Sequence, residues 1–214
     1  MWALLDDSDN ITKVYGTFPS KITINNRNYD KKELYAMSSS DKLAIKLYEV
    51  TPASKFNEKY YVNSNPSYAK VSDKVVETIT KAEDLKLADV NEVDENGDPL
   101  LDNDGVQFVT LGLKSKAKNK ATTNANGWLK GFGWLIQRKV TAETAIPSDV
   151  ITYMAAIRTD HAAIQTAIDG AADLDAFIAL HDDTYKTVDG QQVVDVTARV
   201  NRWTSDASVK QHRR

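Results

Sequence analysis

The chain has 214 residues, 42% of them hydrophobic and 27% charged, which is typical of a globular protein with one large domain or two small ones. It contains no cysteine, which excludes disulfide bonds, thiolate zinc sites and a cysteine nucleophile. Its apolar runs all fall far short of the roughly 18 residues of a membrane span, and residues 1–7 lack the basic start of a signal peptide, so we expect neither segment.

The net charge of −3 conceals two blocks of opposite sign. Residues 82–104 carry nine acidic residues and one base, Lys86, whereas residues 111–142 carry seven bases and no acid. Opposed blocks of this kind can hold two surfaces together, either within a chain or between copies. They contribute more to register and encounter rate than to affinity.

The first hundred residues have the pattern of short strands separated by turns. Residues 2–5 and 11–15 flank a polar turn, and residues 22–24 and 27–29 flank Asn25-Asn26, which tolerate the positive φ of a hairpin turn. Ser40-Asp41 predicts the start of a short helix through residue 46. Further strands are expected at residues 47–50, 60–62, 68–71 and 75–80. Residues 1–105 are therefore predicted to form a small antiparallel sheet or sandwich.

Residues 82–105 predict an acidic β-arm at the junction with a second domain. Residues 94–97 (DENG) and 102–105 (DNDG) are both turn sequences. The first can also be aligned with a calcium loop, but Asn103 then stands where an EF-hand requires a bidentate Glu, and no helix leads in. Two tight turns are favoured over a calcium site.

Residues 111–127 predict a helix whose lysines lie on two flanks beside a row of small residues. No arginine or aromatic residue interleaves with the lysines, and the chain is acidic overall, so a solvated or acid-paired face is favoured over nucleic-acid binding. Glycines 127, 131 and 133 are expected to end this helix and to leave residues 134–136 extended. Trp128 and Trp134 are predicted to pack between this helix and the next.

A long helix is predicted from residue 148 to about residue 168, with Ser148 as its N-cap and Gly170 as its stop. Six residues follow a heptad spacing: Val150, Met154, Ile157, His161, Ile164 and Ile168. Two interpretations stay open. The seam either packs on its own domain or associates with a second copy. Together with Trp128 and Trp134, these six are the candidate interaction residues.

The tail predicts a short helix capped by Asp173 and a hairpin of residues 184–188 and 191–196 around Asp189-Gly190. Residues 106–214 are thus expected to form a mainly helical docking domain with a terminal β-hairpin. The predicted fold class is α+β, with a small antiparallel β-rich N-terminal domain before the helical one.

We expect no catalytic, metal or cofactor site. Ser148, Asp160 and His161 could be read as a triad, but they lie on one predicted helix, on which the first and last are separated by about 20 Å of rise. His161, His181 and His212 have no paired metal-ligand spacing. The sequence therefore indicates a protein that is not an enzyme.

Several short motifs resemble those of tailed-bacteriophage proteins. Residues 134–139 (WLIQRK) and 144–150 (TAIPSDV), followed by Tyr153 and Ile157-Arg158, are similar to a step in which a basic helix, a Trp-containing turn, an acidic loop and a proline lead into a second helix. Residues 1–5 (MWALL), 11–15 (ITKVY) and 86–90 (KLADV) resemble the small β-domain of such proteins. The proteins in question are tail-fibre-associated virion proteins and tail-assembly-chaperone-like proteins.

The resemblance implies a non-enzymatic structural component of a tailed-phage virion. Such a component would belong to the tail or tail fibre, dock on other virion proteins in several copies, and bind no cofactor, nucleic acid or membrane. Gly133 and Met154 replace the family's Asp and Arg, and the extended C-terminal part favours a docking surface of its own. The alternatives are a tail-fibre assembly chaperone and a glycan-binding fibre module. The tyrosines that would serve the latter, Tyr60, Tyr61 and Tyr68, are more typical of sheet packing.

Overall fold

The computed structural model describes residues 1–213 and divides the chain into two compact units, Met1–Asp84 and Leu85–Arg214. The first is β-rich and the second mainly helical with a terminal hairpin, which confirms the predicted α+β class. The division falls after Asp84, within the predicted arm of residues 82–105, because the carbonyls of Lys86 and Leu87 accept hydrogen bonds from the first turn of the helix that begins at Leu113.

The first unit contains nine strands and two short helices. They are β1 Trp2–Leu5, β2 Ile11–Tyr15, β3 Lys21–Ile24, β4 Arg27–Asp30, α1 Lys31–Ala36, α2 Ser39–Ala44, β5 Leu47–Thr51, β6 Tyr61–Asn63, β7 Ser67–Val71, β8 Lys74–Thr78 and β9 Lys81–Asp84.

The main sheet of this unit has the order β2-β1-β5-β8-β7 and buries side chains on both faces. Trp2 and Leu4 pack with one hydrophobic cluster, whereas Ala3 and Leu5 belong to another, as expected when successive side chains point to opposite faces. The cluster on the Trp2 side also holds the β3–β4 hairpin, whose turn residues Asn25 and Asn26 have φ of 49° and 61°. The two N-terminal hairpins are therefore confirmed.

Three details of this unit differ from the sequence-based prediction. Strands β5 and β8 pair in parallel, so the sheet is mixed and not purely antiparallel. The strand predicted at 60–62 pairs with β9, whereas β7 pairs with β8 across the two-residue turn of Ser72 and Asp73. Helix α1 was not predicted, although Asp30 caps it by accepting a hydrogen bond from the backbone N–H of Glu33.

The second unit begins with the arm and continues into four helices and a hairpin. Its elements are β10 Val90–Asn91, β11 Val109–Thr110, α3 Leu113–Lys130, α4 Gly133–Ala142, α5 Ser148–Gly170, α6 Leu174–Ala179, β12 Thr184–Val188 and β13 Gln191–Val196, with 3-10 turns at Arg199–Asn201 and Lys210–His212.

The segment around the tryptophans is helical, which corrects the expectation of an extended stretch at residues 134–136. Helix α3 runs through Gly127 and Trp128 to Lys130, and α4 begins at Gly133. Gly131 and Gly133 stand at helix ends, where their poor helix propensity costs little. The glycines therefore separate two helices and do not abolish the second.

Helix α5 is the predicted long helix, with 23 residues. Both of its ends differ by one residue from the prediction, in which Ser148 was the N-cap and Gly170 followed the helix. Pro147 occupies the N-cap position, Ser148 is already helical, and Gly170 is the last helical residue. Pro147 enters the helix with φ of −53°, close to the value its ring imposes, so the turn into α5 needs no side-chain cap. The C-terminal hairpin β12–β13 is confirmed, with Asp189 and Gly190 at positive φ.

Candidate docking surface

The predicted seam of α5 lies inside its own unit. Val150, Ile157, Ile164 and Ile168 are fully buried and Met154 is 8% exposed. The first turns of this face pack with Phe132 and Leu135 from the α3–α4 segment and with Val209 from the C-terminal segment. This placement agrees with the interpretation in which the seam packs on its own domain. The five residues do not fit the alternative of association with a second copy, because their buried side chains offer no surface to it.

The two candidate tryptophans, which were expected in the core between the two helices, are half-buried and pack against the edge of the same cluster. Trp134 donates a hydrogen bond from Nε1 to the carbonyl of His212 at 3.0 Å. The guanidinium of Arg213 lies 5.4 Å from the centroid of the Trp128 ring. Both tryptophans therefore fix the C-terminal segment to the helices.

His161 is the one seam residue with a polar role. It is half-buried, and its Nε2 lies 3.0 Å from Thr122 Oγ1 on α3 and 2.9 Å from Gln165 Nε2 on α5. Gln165 also lies 3.2 Å from Thr122 Oγ1. Three polar side chains thus join α3 to α5 at this level, and they are followed by the ion pair of Lys118 and Asp169 at 2.8 Å.

These polar contacts indicate that an apolar residue is poorly tolerated at position 161. His161→Leu removes the partner that Thr122 and Gln165 share, so we expect it to destabilise the second unit by about 1 kcal/mol. The measurement is the midpoint of urea unfolding. His161→Gln, which keeps a polar group, should lose less stability than His161→Leu. A midpoint for the leucine variant above that of the wild type would contradict the role assigned to this network.

The surface left open by the structure is the acidic arm, residues 90–111. Its two tight turns are confirmed and have the same geometry. The carboxylate of Asp94 accepts hydrogen bonds from the backbone N–H groups of Asn96 and Asp98, and Gly97 follows with φ of 89°. The carboxylate of Asp102 likewise accepts hydrogen bonds from the backbone N–H groups of Asp104 and Val106, and Gly105 follows with φ of 79°. Each glycine adopts the left-handed backbone conformation, which residues with a Cβ disfavour.

Strands β10 and β11 and the segment around Leu100 between them are joined by backbone hydrogen bonds. The backbone N–H of Glu92 donates to the carbonyl of Phe108, that of Phe108 to Leu100, and that of Leu100 to Glu92, at 2.8–3.0 Å. The bridges Val93↔Pro99 and Leu101↔Gln107 complete the pairing around the two turns. A closed triangle of backbone hydrogen bonds fixes the arm without a hydrophobic core.

The root of the arm forms the N-terminal cap of α3. The backbone N–H groups of Leu113 and Lys114 donate to the carbonyls of Lys86 and Leu87, which satisfies two helix donors that have no partner within the helix. Asp89 accepts from the backbone N–H of Gly112 at 2.7 Å and from the hydroxyl of Ser115 at 2.9 Å. The arm therefore starts and ends at one anchored point.

The hydrogen bond from the Gly112 N–H, together with that from Ser115, holds the pKa of Asp89 below its usual value. A depressed folded-state pKa gives stability that is present above the unfolded pKa, near 4, and is lost as the pH falls through the folded pKa. We therefore expect Asp89→Asn to be less stable than the wild type at pH 7 and the difference to shrink below pH 4, in urea unfolding at each pH.

Asp104→Asn is the matched control for this titration. The Asp104 carboxylate accepts no hydrogen bond from any residue in the range 1–213. The substitution should therefore leave the free energy of unfolding unchanged at pH 7 and at pH 3. A stability difference for Asp89→Asn that stays constant between pH 7 and pH 3 would show that its charge does not anchor the root.

The arm exposes an unusual amount of apolar surface. Between residues 90 and 111 no side chain is buried. Eight large apolar side chains are 40–61% exposed: Val90, Val93, Leu100, Leu101, Val106, Phe108, Val109 and Leu111. Isolated exposed apolar residues are ordinary, but eight of them within residues 90–111 mark this element as a contact surface. The sequence pattern predicted the acidic turns but not this exposed apolar surface, because Val, Leu and Phe ordinarily indicate burial.

The three tyrosines considered for glycan binding, Tyr60, Tyr61 and Tyr68, are engaged in packing and hydrogen bonding within the first unit. Tyr60 is buried, and its ring lies 6.3 Å from that of Tyr61. The hydroxyl of Tyr68 donates to the Glu77 carboxylate at 3.0 Å. These contacts leave them less available as an open aromatic platform for a glycan.

The comparisons with known proteins add no relative: no family model, no curated protein and no solved structure matches this chain. None of the helices within residues 1–213 combines the length and apolar character needed to span a membrane. Across the same described residues, no cluster of three or more histidine, aspartate or glutamate side chains could hold a metal ion.

Proposed function

We propose that this protein is a non-enzymatic structural component of a tailed-phage virion, located in the tail or tail-fibre apparatus, that docks on other virion proteins through its arm. The observation that carries the docking role is the arm itself, a hydrogen-bonded element with eight exposed apolar side chains and no buried one. The phage assignment is supported by the resemblance of residues 1–5, 11–15, 86–90 and 134–150 to virion proteins.

The arm is built for contact rather than for chemistry. Its backbone is fixed by the turns and the closed triangle, so little conformational entropy is lost on docking. Its apolar side chains supply the buried area, and its six acids, which no base balances within residues 90–111, favour a basic partner surface. A component of this kind would be present in several copies and would be assembled in the host cytoplasm.

Mass spectrometry of density-purified particles tests this proposal. A stoichiometric component of about 24 kDa in the particle supports it. Presence in the infected-cell lysate together with absence from particles would overturn it in favour of the tail-fibre assembly chaperone, which acts on a fibre and then leaves.

A pair of variants links incorporation to the arm. Leu101 is 53% exposed on the arm and Val71 is 54% exposed in the first unit, so an aspartate at either position should leave the fold intact. We expect Leu101→Asp to deplete the protein from particles and Val71→Asp to leave its amount unchanged. Equal incorporation of both variants would argue against docking through the arm.

A further inference from the structure

We propose that the arm of one copy docks on the outer face of helix α4 of a second copy, so that copies join head to tail. This inference rests on the proposed function, because it names the partner of the same arm. It adds that the chain carries both halves of one interface.

The receiving surface is the outer face of α4. Ile136 and Val140 lie one helical turn apart on the same face, 46% and 77% exposed. Val140 is the most exposed large apolar side chain among residues 1–213. The opposite face of the helix holds the buried Leu135 and packs into the core, whereas Ile136 and Val140 do not belong to that hydrophobic cluster.

Charge selects this face as the partner of the arm. Helix α4 carries Arg138 and Lys139 and no acid, and α3 before it carries five lysines and no acid. Near α4, Lys130 at the end of α3 and Lys139 are exposed, and Arg138 lies half-buried over the Trp134 ring. Glu143 at the C-cap of α4 is the one acid that adjoins these bases in the chain. An apolar surface flanked by bases thus matches an apolar surface flanked by acids.

The same charges oppose contact between two arms. Each arm carries six acids and no base, so an arm-to-arm interface would bring twelve like charges together. The two matching surfaces are different patches of one chain, and an interface between different patches is heterologous. Repetition of such a contact produces a ring where the rotation closes and a helical filament where it does not.

The absence of cysteine from the sequence makes the contact directly testable. Val106→Cys marks the arm and Val140→Cys marks α4, both at exposed positions. We expect the two purified full-length variants to form a disulfide-linked dimer under mild oxidation when mixed, in clear excess over either variant alone. Val71→Cys, equally exposed but outside both surfaces, should not link to Val140→Cys above the background level.

Light scattering of the cysteine-free protein provides a second measurement that does not depend on disulfide geometry. We expect concentration-dependent oligomers of the wild type. Val140→Asp and Lys139→Glu should each weaken self-association on the order of tenfold, since each removes apolar or charge complementarity. Val71→Asp should leave it unchanged, and raised salt should slow association.

Two outcomes would overturn the inference. A disulfide-linked dimer from Val106→Cys alone, as abundant as in the mixture, would identify an arm-to-arm contact. A wild type that stays monomeric at the highest concentration reached, without cross-linking in the mixture, would assign the arm to a different virion protein. Neither result bears on incorporation into particles, so failure of this inference is distinguishable from failure of the proposed function.

Discussion

Replacement of Gly112 by alanine is expected to destabilise the second unit by at least ~2 kcal/mol, as overpacking of a tight site does. An added Cβ would lie 2.5 Å from the carbonyl oxygen of Leu87 and still closer to the carbonyl group of Ala88. These are rigid backbone atoms of the arm root, so the strand or the helix start has to move. That movement would break the hydrogen bonds by which Lys86 and Leu87 cap α3.

The matched control is Gly127→Ala, in the same helix. A Cβ there meets nothing within 4 Å, and alanine has a higher helix propensity than glycine. We expect the free energy of unfolding of this variant to exceed that of the wild type by about 0.5–1 kcal/mol. The same substitution, glycine to alanine, is therefore expected to lower the free energy of unfolding at Gly112, the cap of α3, and to raise it at Gly127 within α3.

Urea unfolding gives the free energies, and hydrogen exchange locates the damage. In Gly112→Ala the backbone amides of Leu113 and Lys114 should exchange much faster than in the wild type, because their acceptors on the arm root are displaced. Equal stability of the two variants would mean that the arm root can move away from α3 without cost.

Ile157→Ala is the second large expected effect. Ile157 is fully buried in the core beside Val150 and Met154, so its truncation should cost about 2–5 kcal/mol through lost burial and a residual cavity. Ile151 lies on the same helix but is 53% exposed, and Ile151→Ala should change the free energy of unfolding by less than about 0.5 kcal/mol.

This pair also separates core packing from self-association. If the seam of α5 serves its own unit, Ile157→Ala lowers the unfolding free energy of the monomer and the loss is the same at every protein concentration. A loss that appears only at concentrations where the wild type is oligomeric would restore the seam as an interface.

The elements that the sequence predicted well are those set by local chemistry. Asn25-Asn26 and Asp189-Gly190 adopt the positive φ that their side chains allow, and both hairpins form around them. Pro147 and the heptad spacing after it located α5. The turn sequences at residues 94–97 (DENG) and 102–105 (DNDG) predicted the two turns of the arm.

The elements that were missed depend on non-local partners. The parallel pairing of β5 with β8 has no signature in either strand, because register with a distant strand is decided by the whole sheet. The helical state of residues 134–136 depends on the packing of Leu135 against Phe132 and Val150, which outweighs the neighbouring glycines. Exposure of the arm could not be predicted either, because Val, Leu and Phe indicate burial until the fold shows that nothing covers them.

The single anchored root of the arm makes residues 90–111 an interchangeable cassette. The chain leaves the cap of α3 after Asp89 and returns to it at Gly112, so a substitute of different length or sequence would enter and leave at the same place. Loop-closure entropy rises only slowly with length, and no side chain of residues 90–111 is buried. Partner choice could therefore diversify by exchange of this cassette while the rest of the protein is conserved in shape.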